Sequence, residues 1–303
     1  MNASEPITQL LGPASKTSFI YGTAWKKDRT KDLVLKALKS GFTAIDTAAQ
    51  PRHYQEPLVG SAIREALASG VISRDALYIQ TKFTAPGGQD LKNIPYDPHA
   101  PLEAQIHTSV ASSLENLRPR DDLASVQEST IDCLVMHSPL DTLQDTLAAW
   151  KLLESYVPDK IRRLGISNTD FSILKAIYDA AEVKPSVVQN RFYARTRYDV
   201  QIRKFCRDNG IVYQSFWTLT GNPELLKSQA VVKISTDSGV SREVALYALV
   251  MGIGAAPLNG TTSVEHMRKD LEDVARVRNW TFVYGEKWRG ILEEFRRSIG
   301  DTA

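Results

Sequence analysis

Four side chains in this sequence could do proton-transfer chemistry as a group: Asp46 in TAID, Tyr54 in HYQE, Lys82 in YIQTKF and His137 in CLVMHS. Asp46, Lys82 and His137 sit at the ends of short apolar runs, and Tyr54 follows the first of these. A free phenol has a pKa of about 10 and is a poor proton shuttle near neutrality. An ammonium beside it favours the phenolate, each unit of pKa requiring about 1.4 kcal/mol of differential interaction. A buried ammonium in turn needs a counter-charge, the role open to Asp46. A neutral imidazole could orient an oxygen or pass the proton on. The set describes an acid that protonates a carbonyl oxygen while hydride reaches the carbon. Taken singly, each residue has a plainer reading: a turn or cap aspartate, a packing tyrosine, a solvent-reaching lysine, a core histidine. Their common position at the ends of strand-like segments is what points to chemistry.

Eight such segments recur along the chain: 18–23, 43–47, 77–83, 132–138, 162–168, 186–192, 210–216 and 253–259. They are rich in Val, Ile, Leu and Tyr and mostly continuous rather than alternating, as in strands covered on both faces. Amphipathic stretches lie between them, with Leu58, Ala62, Ile63 and Ala66 sharing one face and Ile106, Val110, Leu114 and Leu117 another. Asp170, Tyr198 and Ser241 stand near helix starts, and Gly41, Gly70 and Gly210 where helices should stop. Strand–helix alternation predicts a parallel sheet, and eight strands are the number that closes an (α/β)8 TIM barrel, with an open doubly wound sheet as the alternative. A single domain over residues 1–303 is expected. Two features stand outside the repeat. The Pro- and Gly-rich loop 83–101 follows the third strand on the face where barrel active sites form. A C-terminal helix is marked by Trp288, Ile291, Leu292, Phe295 and Ile299, a stripe expected to pack against the barrel, with the preceding Trp280 and Tyr284 as possible pocket walls.

Bulk properties narrow the function. The 303 residues suit a barrel of about 250 residues with appendages and need no disulfide or metal staple. Interspersed charges summing to +2 give no footprint for nucleic acid or an anionic membrane. Cys133 and Cys206 make no disulfide framework, and Cys133 reads as a small core residue. The start, MNASEPITQLLGPAS, lacks the basic and apolar regions of a secretory signal, so a cytoplasmic protein is expected. GxGxxG after a strand, Walker A, GxSxG, HExxH and CxxC are all missing, and His53, His99, His107, His137 and His266 have no metal-ligand spacing.

GFTAIDTA followed by HYQEPLVG, then QTKF, LVMHSP, RLGISN, SVVQNRF and PLNGTTSVEHMRKDL, resembles the aldo-keto reductase family in order and across roughly residues 19–278. The resemblance implies an (α/β)8 barrel that binds a nicotinamide cofactor without a Rossmann fold and reduces an aldehyde or ketone to an alcohol. Carried over by position, it makes Tyr54 the general acid, Lys82 the group that lowers its pKa, Asp46 the partner of Lys82, and His137 the residue that positions the carbonyl. Ser167, Asn168 and Gln189 would bind the nicotinamide carboxamide, Gly22 and Thr23 would line its site beside Asp46, and Phe216 would stack where the family commonly has a tyrosine. Trp25, the 83–101 loop, Trp217 and the C-terminal segment would shape the substrate pocket, with Tyr54 and His137 at its floor. At the adenosine end, Asn259, Gly260, Thr261, Thr262, His266 and Asp270 would hold the nucleotide.

Two departures stand out. Gln50, Pro51 and Arg52 look like an insertion that lengthens the spacing from Asp46 to Tyr54. Leu258 and His266 replace a lysine and an arginine that usually grip the 2′-phosphate, removing permanent positive charge. NADP(H) is favoured on family grounds, with NAD(H) possible. The partner is expected to be a small carbonyl compound and the protein a monomer or weak homo-oligomer. A nicotinamide-binding regulatory barrel with vestigial activity is the alternative function.

Overall fold

All eight apolar runs are strands, and the sheet they form closes on itself. The computed structural model describes residues 16–302; the N-terminal stretch read above as lacking a secretory signal lies outside them. In chain order the elements are β1 (Ile20–Gly22), α1 (Thr30–Ser40), β2 (Ala44–Asp46), α2 (Glu56–Ala68), β3 (Tyr78–Phe83), α3 (Leu102–Asn116), β4 (Cys133–Met136) and α4 (Leu143–Glu154). They continue with β5 (Leu164–Ser167), α5 (Phe171–Ala180), β6 (Val187–Arg191), α6 (Val200–Asp208), β7 (Val212–Phe216), α7 (Gln229–Ser238), α8 (Arg242–Gly252), β8 (Ala255–Asn259), α9 (Val264–Val283) and α10 (Gly285–Ser298). Each strand pairs in parallel with the next, and β1 pairs with β8 through Ile20↔Leu258 and Tyr21↔Asn259. That last pairing excludes the open sheet.

Side chains alternate across each strand, so seven of the eight strands feed two cores, β5 turning Gly165 and Ser167 inward. Ile45, Ile79, Leu134, Ile166 and Val188 pack with Val59, Ile63, Val110 and Trp150 between sheet and helices. Ile20, Ala44, Tyr78, Cys133, Val135, Val187 and Ala256 form a separate cluster inside the barrel. This double coverage is why the runs read as continuously apolar. Along β3 the inner face carries Tyr78, then Gln80, then Lys82, all buried. The interior therefore passes from apolar at the N-terminal ends of the strands to polar and charged at their C-terminal ends.

Local signals set the boundaries. The side chains of Asp170 and Ser241 accept from the backbone N–H groups of Ile173 and Val244, capping α5 and α8. Gly41, at φ +108°, ends α1 in the left-handed region that a side chain would resist. Helix α7, which the periodicity did not mark, is capped by Ser228 and is the extra element between β7 and β8.

The C-terminal stripe packs on the barrel as expected, but the expected pocket walls differ. The stripe on α10 is real: Trp288, Ile291, Leu292 and Phe295 are buried, with Trp288 against Gly252 of α8. It faces α7 and α8, however, so neither α10 nor Trp280 and Tyr284 reaches the cavity described below. The 83–101 loop does not wall that cavity either. It folds back instead: Gln89 Nε2 donates to Ala49 O at 2.8 Å, Gln50 Nε2 to Gly88 O at 2.6 Å, and Tyr96 Oη to Thr84 O at 2.5 Å. The loop braces the β2–α2 connection, with the Gly88 and Thr84 carbonyls satisfied by side chains of the protein.

Helices α2 and α3 meet at Gly60, where a Cβ would lie 1.8 Å from the carbonyl oxygen of Asn116. Gly60→Ala should therefore force the helices apart and cost about 3 kcal/mol of stability, read as a lower urea midpoint with unchanged slope.

Candidate active site

The polar upper layer of the barrel is a closed network around one ion pair. Lys82 Nζ donates to Asp46 Oδ2 at 2.6 Å and to Thr47 O at 2.8 Å. Asp46 Oδ1 accepts from Gln80 Nε2 at 2.7 Å and from Gln189 Nε2 at 3.0 Å. Gln214 joins both glutamines, accepting from Gln80 at 2.7 Å and from Gln189 at 2.9 Å, and returning a bond to Gln80 Oε1 at 2.9 Å. Lys82 is 0% exposed and Asp46 1%. Burial alone would push the Lys82 ammonium down, but the charge of Asp46, with Tyr54 and the bond to Asp46 adding to it, holds its pKa above the usual lysine value.

Tyr54 lies over this pair, its ring centroid 4.9 Å from Lys82 Nζ. Local hydrogen bonds from the Gln50–Arg52 segment place it: the N–H groups of His53 and Tyr54 both donate to Gln50 O, at 3.1 and 2.9 Å. Burial raises the pKa of the phenol and the Lys82 charge lowers it; burial wins, and the net position is above the usual tyrosine value. The expectation that Lys82 lowers the Tyr54 pKa thus holds for the direction of its contribution and not for the sum. The consequence is a phenol that stays protonated at neutral pH.

His137 faces Tyr54 from the end of β4, with ring centroids 5.9 Å apart at 70°. Its Nδ1 is 2.7 Å from Thr84 Oγ1, and Thr84 is buried. That contact is the only hydrogen bond the hydroxyl makes among the described residues. The hydroxyl proton must therefore point to Nδ1 or be left unsatisfied in the interior. The ring proton then sits on Nε2. Burial first, and then the Lys82 and His53 charges, push the His137 pKa down to about 3, so the imidazole is neutral.

These groups open into a cavity of about 1040 Å³ that runs across the barrel mouth to the start of α9. Of the residues expected there, Gly22, Trp25, Asp46, Tyr54, His137, Ser167, Asn168, Gln189, Phe216, Trp217, Asn259, Gly260, Thr261, Thr262, His266 and Asp270 line it. Thr23 does not; it lies behind the wall, with its N–H and hydroxyl both donating to Asp46 O at 3.0 and 2.9 Å. Lys82 is also beneath the surface, under Tyr54. Asn168, at φ +52°, donates to His137 O at 2.9 Å and to Ser167 Oγ at 3.1 Å, linking the β4 and β5 tips. Trp25, 65% exposed, stacks on His53 with ring centroids 3.7 Å apart. At the far end Asn259 donates to Asp270 Oδ2 at 2.7 Å and accepts from Thr261 N at 2.9 Å.

A model of the aldo/keto reductase family matches residues 16–279. The chain belongs to that family. Among curated members, a glyoxal reductase of Bacillus subtilis (strain 168) is 28% identical over 228 residues, covering 74% of this chain and 71% of its own length. A D-galacturonate reductase of Fragaria ananassa is 26% identical over 269 residues, covering 81% and 76%. A crystal structure of a silkworm (Bombyx mori) aldo-keto reductase complexed with NADPH superposes with TM-score 0.66 at 20% identity, covering 86% of this chain and 83% of that one, a likeness of fold. Among the described residues of this aldo-keto reductase, no group of three or more His, Cys, Asp or Glu could hold a metal ion, and no helix is long and apolar enough to cross a membrane.

Sequence reasoning missed several members of the site. Gln80 and Gln214 complete the network under Asp46, and the signal was present as the alternation Tyr-x-Gln-x-Lys in β3 and Val-x-Gln in β7. Lys26, His53, Arg191, Glu243 and Tyr247 also line the cavity. Lys26 Nζ donates to Gly260 O at 2.8 Å and, chiefly through burial, has its pKa lowered to about 8.

Because His137 is neutral when folded and titrates far below an exposed histidine, it contributes stability above about pH 6.5, and this is lost as pH falls toward about 3. Its ¹⁵N shifts should show the Nε2–H form unchanged from pH 5 to 9, and His137→Gln should flatten the acid limb of stability against pH. A normal titration midpoint near 6.5 would contradict the environment described here.

Proposed function

We propose that this aldo-keto reductase reduces an aldehyde or ketone to an alcohol with NADPH, and that Tyr54 is the general acid. What supports the reading most is one juxtaposition. A protonated phenol lies over a buried Lys82–Asp46 pair, with the ring of a neutral histidine beside it at 5.9 Å between centroids, and both line one cavity.

Bound in that cavity, a reduced nicotinamide would supply the hydride. Asn168 and the oxygen of Gln189, whose N–H groups are both committed to Asp46 and Gln214, suit its carboxamide. Phe216 offers a ring face, and Asn259 to Thr262 with His266 and Asp270 would hold the adenosine end.

The chain's own residues carry the proton chemistry. His137 and Tyr54 each present one donor toward the cavity, so a substrate oxygen between them would be oriented by the imidazole and polarised by the phenol. As negative charge develops on that oxygen, the Tyr54 proton transfers to it. Lys82 then stabilises the phenolate left behind, at a moment when desolvation would otherwise make that charge costly. Asp46, fixed by Gln80 and Gln189, keeps Lys82 charged and in place throughout. Trp25, His53 and Gln50 form the adjoining substrate wall, with Trp217 toward the cofactor side.

A small carbonyl compound as substrate agrees with the names of the relatives, a glyoxal reductase and a D-galacturonate reductase. NADP(H) agrees with the NADPH complex of the silkworm protein and with an NADP-dependent D-sorbitol-6-phosphate dehydrogenase of Malus domestica, 22% identical over 280 residues. The regulatory alternative gains nothing from these relatives or from a site in which all four catalytic positions are filled.

Tyr54→Phe should lower turnover by about a hundredfold to ten-thousandfold while leaving NADPH affinity nearly unchanged. Steady-state rates on a panel of aldehydes, paired with tryptophan-fluorescence titration by NADPH and NADH, make the measurement. Undiminished turnover in the variant would exclude Tyr54 as the acid.

A further inference from the structure

Arg191 is the one guanidinium among the residues lining the cavity. It ends β6 in register with Phe216, and it projects from the same strand face as Gln189, one layer nearer the mouth. Its guanidinium lies 4.0 Å from the ring centroid of Trp217, 5.4 Å from Tyr193 and 5.6 Å from Phe216. Among the described residues it has no carboxylate at ion-pair distance, unlike Arg203, which is paired with Asp301 at 2.9 Å. Its Nε is buried without a hydrogen-bond partner. The other cations on the cavity are engaged: Lys26 Nζ donates to Gly260 O at 2.8 Å, and Lys269 faces Asp273 at 3.7 Å.

A permanently charged, planar fork stacked on aromatic faces, with donors left over, is built to receive an anion at two points. Its place in the barrel says which part of a ligand that would be. The candidate carboxamide contacts stand on β5 and β6, the candidate stacking ring, Phe216, ends β7, and the candidate adenosine contacts lie at and beyond the end of β8, so the segment leaving β7 runs between the two ends. Residues 217–220, leaving β7, line that middle stretch, and Arg191 sits on Trp217. Tyr54 and His137 enter from the β2 and β4 side, away from it.

We propose that Arg191 binds the diphosphate bridge of the nicotinamide dinucleotide, making up for the cationic side chains replaced by Leu258 and His266. This rests on the cofactor reading above. The residue is a binding residue and takes no part in proton transfer.

Isothermal titration of the intact protein with NADPH and with 2′-AMP, for wild type, Arg191→Met and Arg191→Lys, separates the possibilities. 2′-AMP carries the adenosine 2′-phosphate and no diphosphate. Expected are NADPH binding weaker by about tenfold or more in Arg191→Met, an intermediate loss in Arg191→Lys, and 2′-AMP binding unchanged in both. The salt dependence of NADPH affinity should also flatten in the Met variant. Equal NADPH affinity in wild type and Arg191→Met would overturn the proposal, as would an equal loss for 2′-AMP, which would place Arg191 at the 2′-phosphate or in the packing. A rise confined to the KM of carboxylate-bearing carbonyl substrates would overturn it in favour of a substrate anchor. Should Arg191→Met not fold by circular dichroism, Arg191→Lys decides, with unchanged NADPH affinity sinking the idea. Wild type that binds neither NADPH nor NADH would instead remove the cofactor reading itself.

Discussion

The structure depends on a charge pair placed where charge is hardest to keep. Desolvating an ammonium and a carboxylate costs several kcal/mol for each ion, and their mutual attraction offsets this only when every remaining donor and acceptor is also satisfied. Lys82 and Asp46 meet that condition inside the barrel. Thr47 O takes a second Lys82 proton, and Gln80 and Gln189 saturate the other carboxylate oxygen. The requirement explains why residues from β2, β3, β6 and β7 interlock at this level and why the strands above the apolar cluster turn polar on their inner faces.

The same burial sets the protonation states of the site. Low-dielectric surroundings push both neighbours toward their neutral forms, Tyr54 as a phenol and His137 as an imidazole, while the pair beneath them remains charged. Two neutral donors over a fixed positive charge suit the protonation of an oxygen that becomes an alkoxide. Thr84 adds the tautomer, and its own carbonyl is tied down by Tyr96 and Gln89. The long loop after β3 thus serves the chemistry through the back of His137 rather than by covering the mouth.

How far the site could be read before folding follows from the range of the forces involved. Asp46, Tyr54, Lys82 and His137 were legible because the barrel presents the C-terminal ends of its strands to one face, and strand ends can be found from local hydrophobicity. In the stretch Gln50–Arg52 that reads as an insertion, the Gln50 carbonyl accepts from the N–H groups of both His53 and Tyr54 and so fixes the loop beside the Lys82–Asp46 pair. Thr23, carried over by resemblance as lining the site, lies behind the wall because its hydroxyl donates to the Asp46 carbonyl, a contact no position in the sequence reveals. The loop 83–101 and the C-terminal segment with Trp280 and Tyr284 were expected at the pocket; the docking partners that turn them away, Ala49 and Gln50 in one case and α7 and α8 in the other, are distant in sequence or unmarked by it.

By itself the sequence determined the strands, most of the helices and their caps, the eight-fold alternation and the residues at the strand tips, because these rest on local periodicity and on side-chain-to-backbone bonds a few residues apart. Tertiary structure alone decided closure through β1 and β8, the glutamine network under Asp46, the net rise of the Tyr54 pKa and the stacking of the Arg191 guanidinium on Trp217 with no carboxylate partner among the described residues. Each of those depends on burial or on contacts between segments far apart in the chain, and neither quantity exists until the barrel has formed.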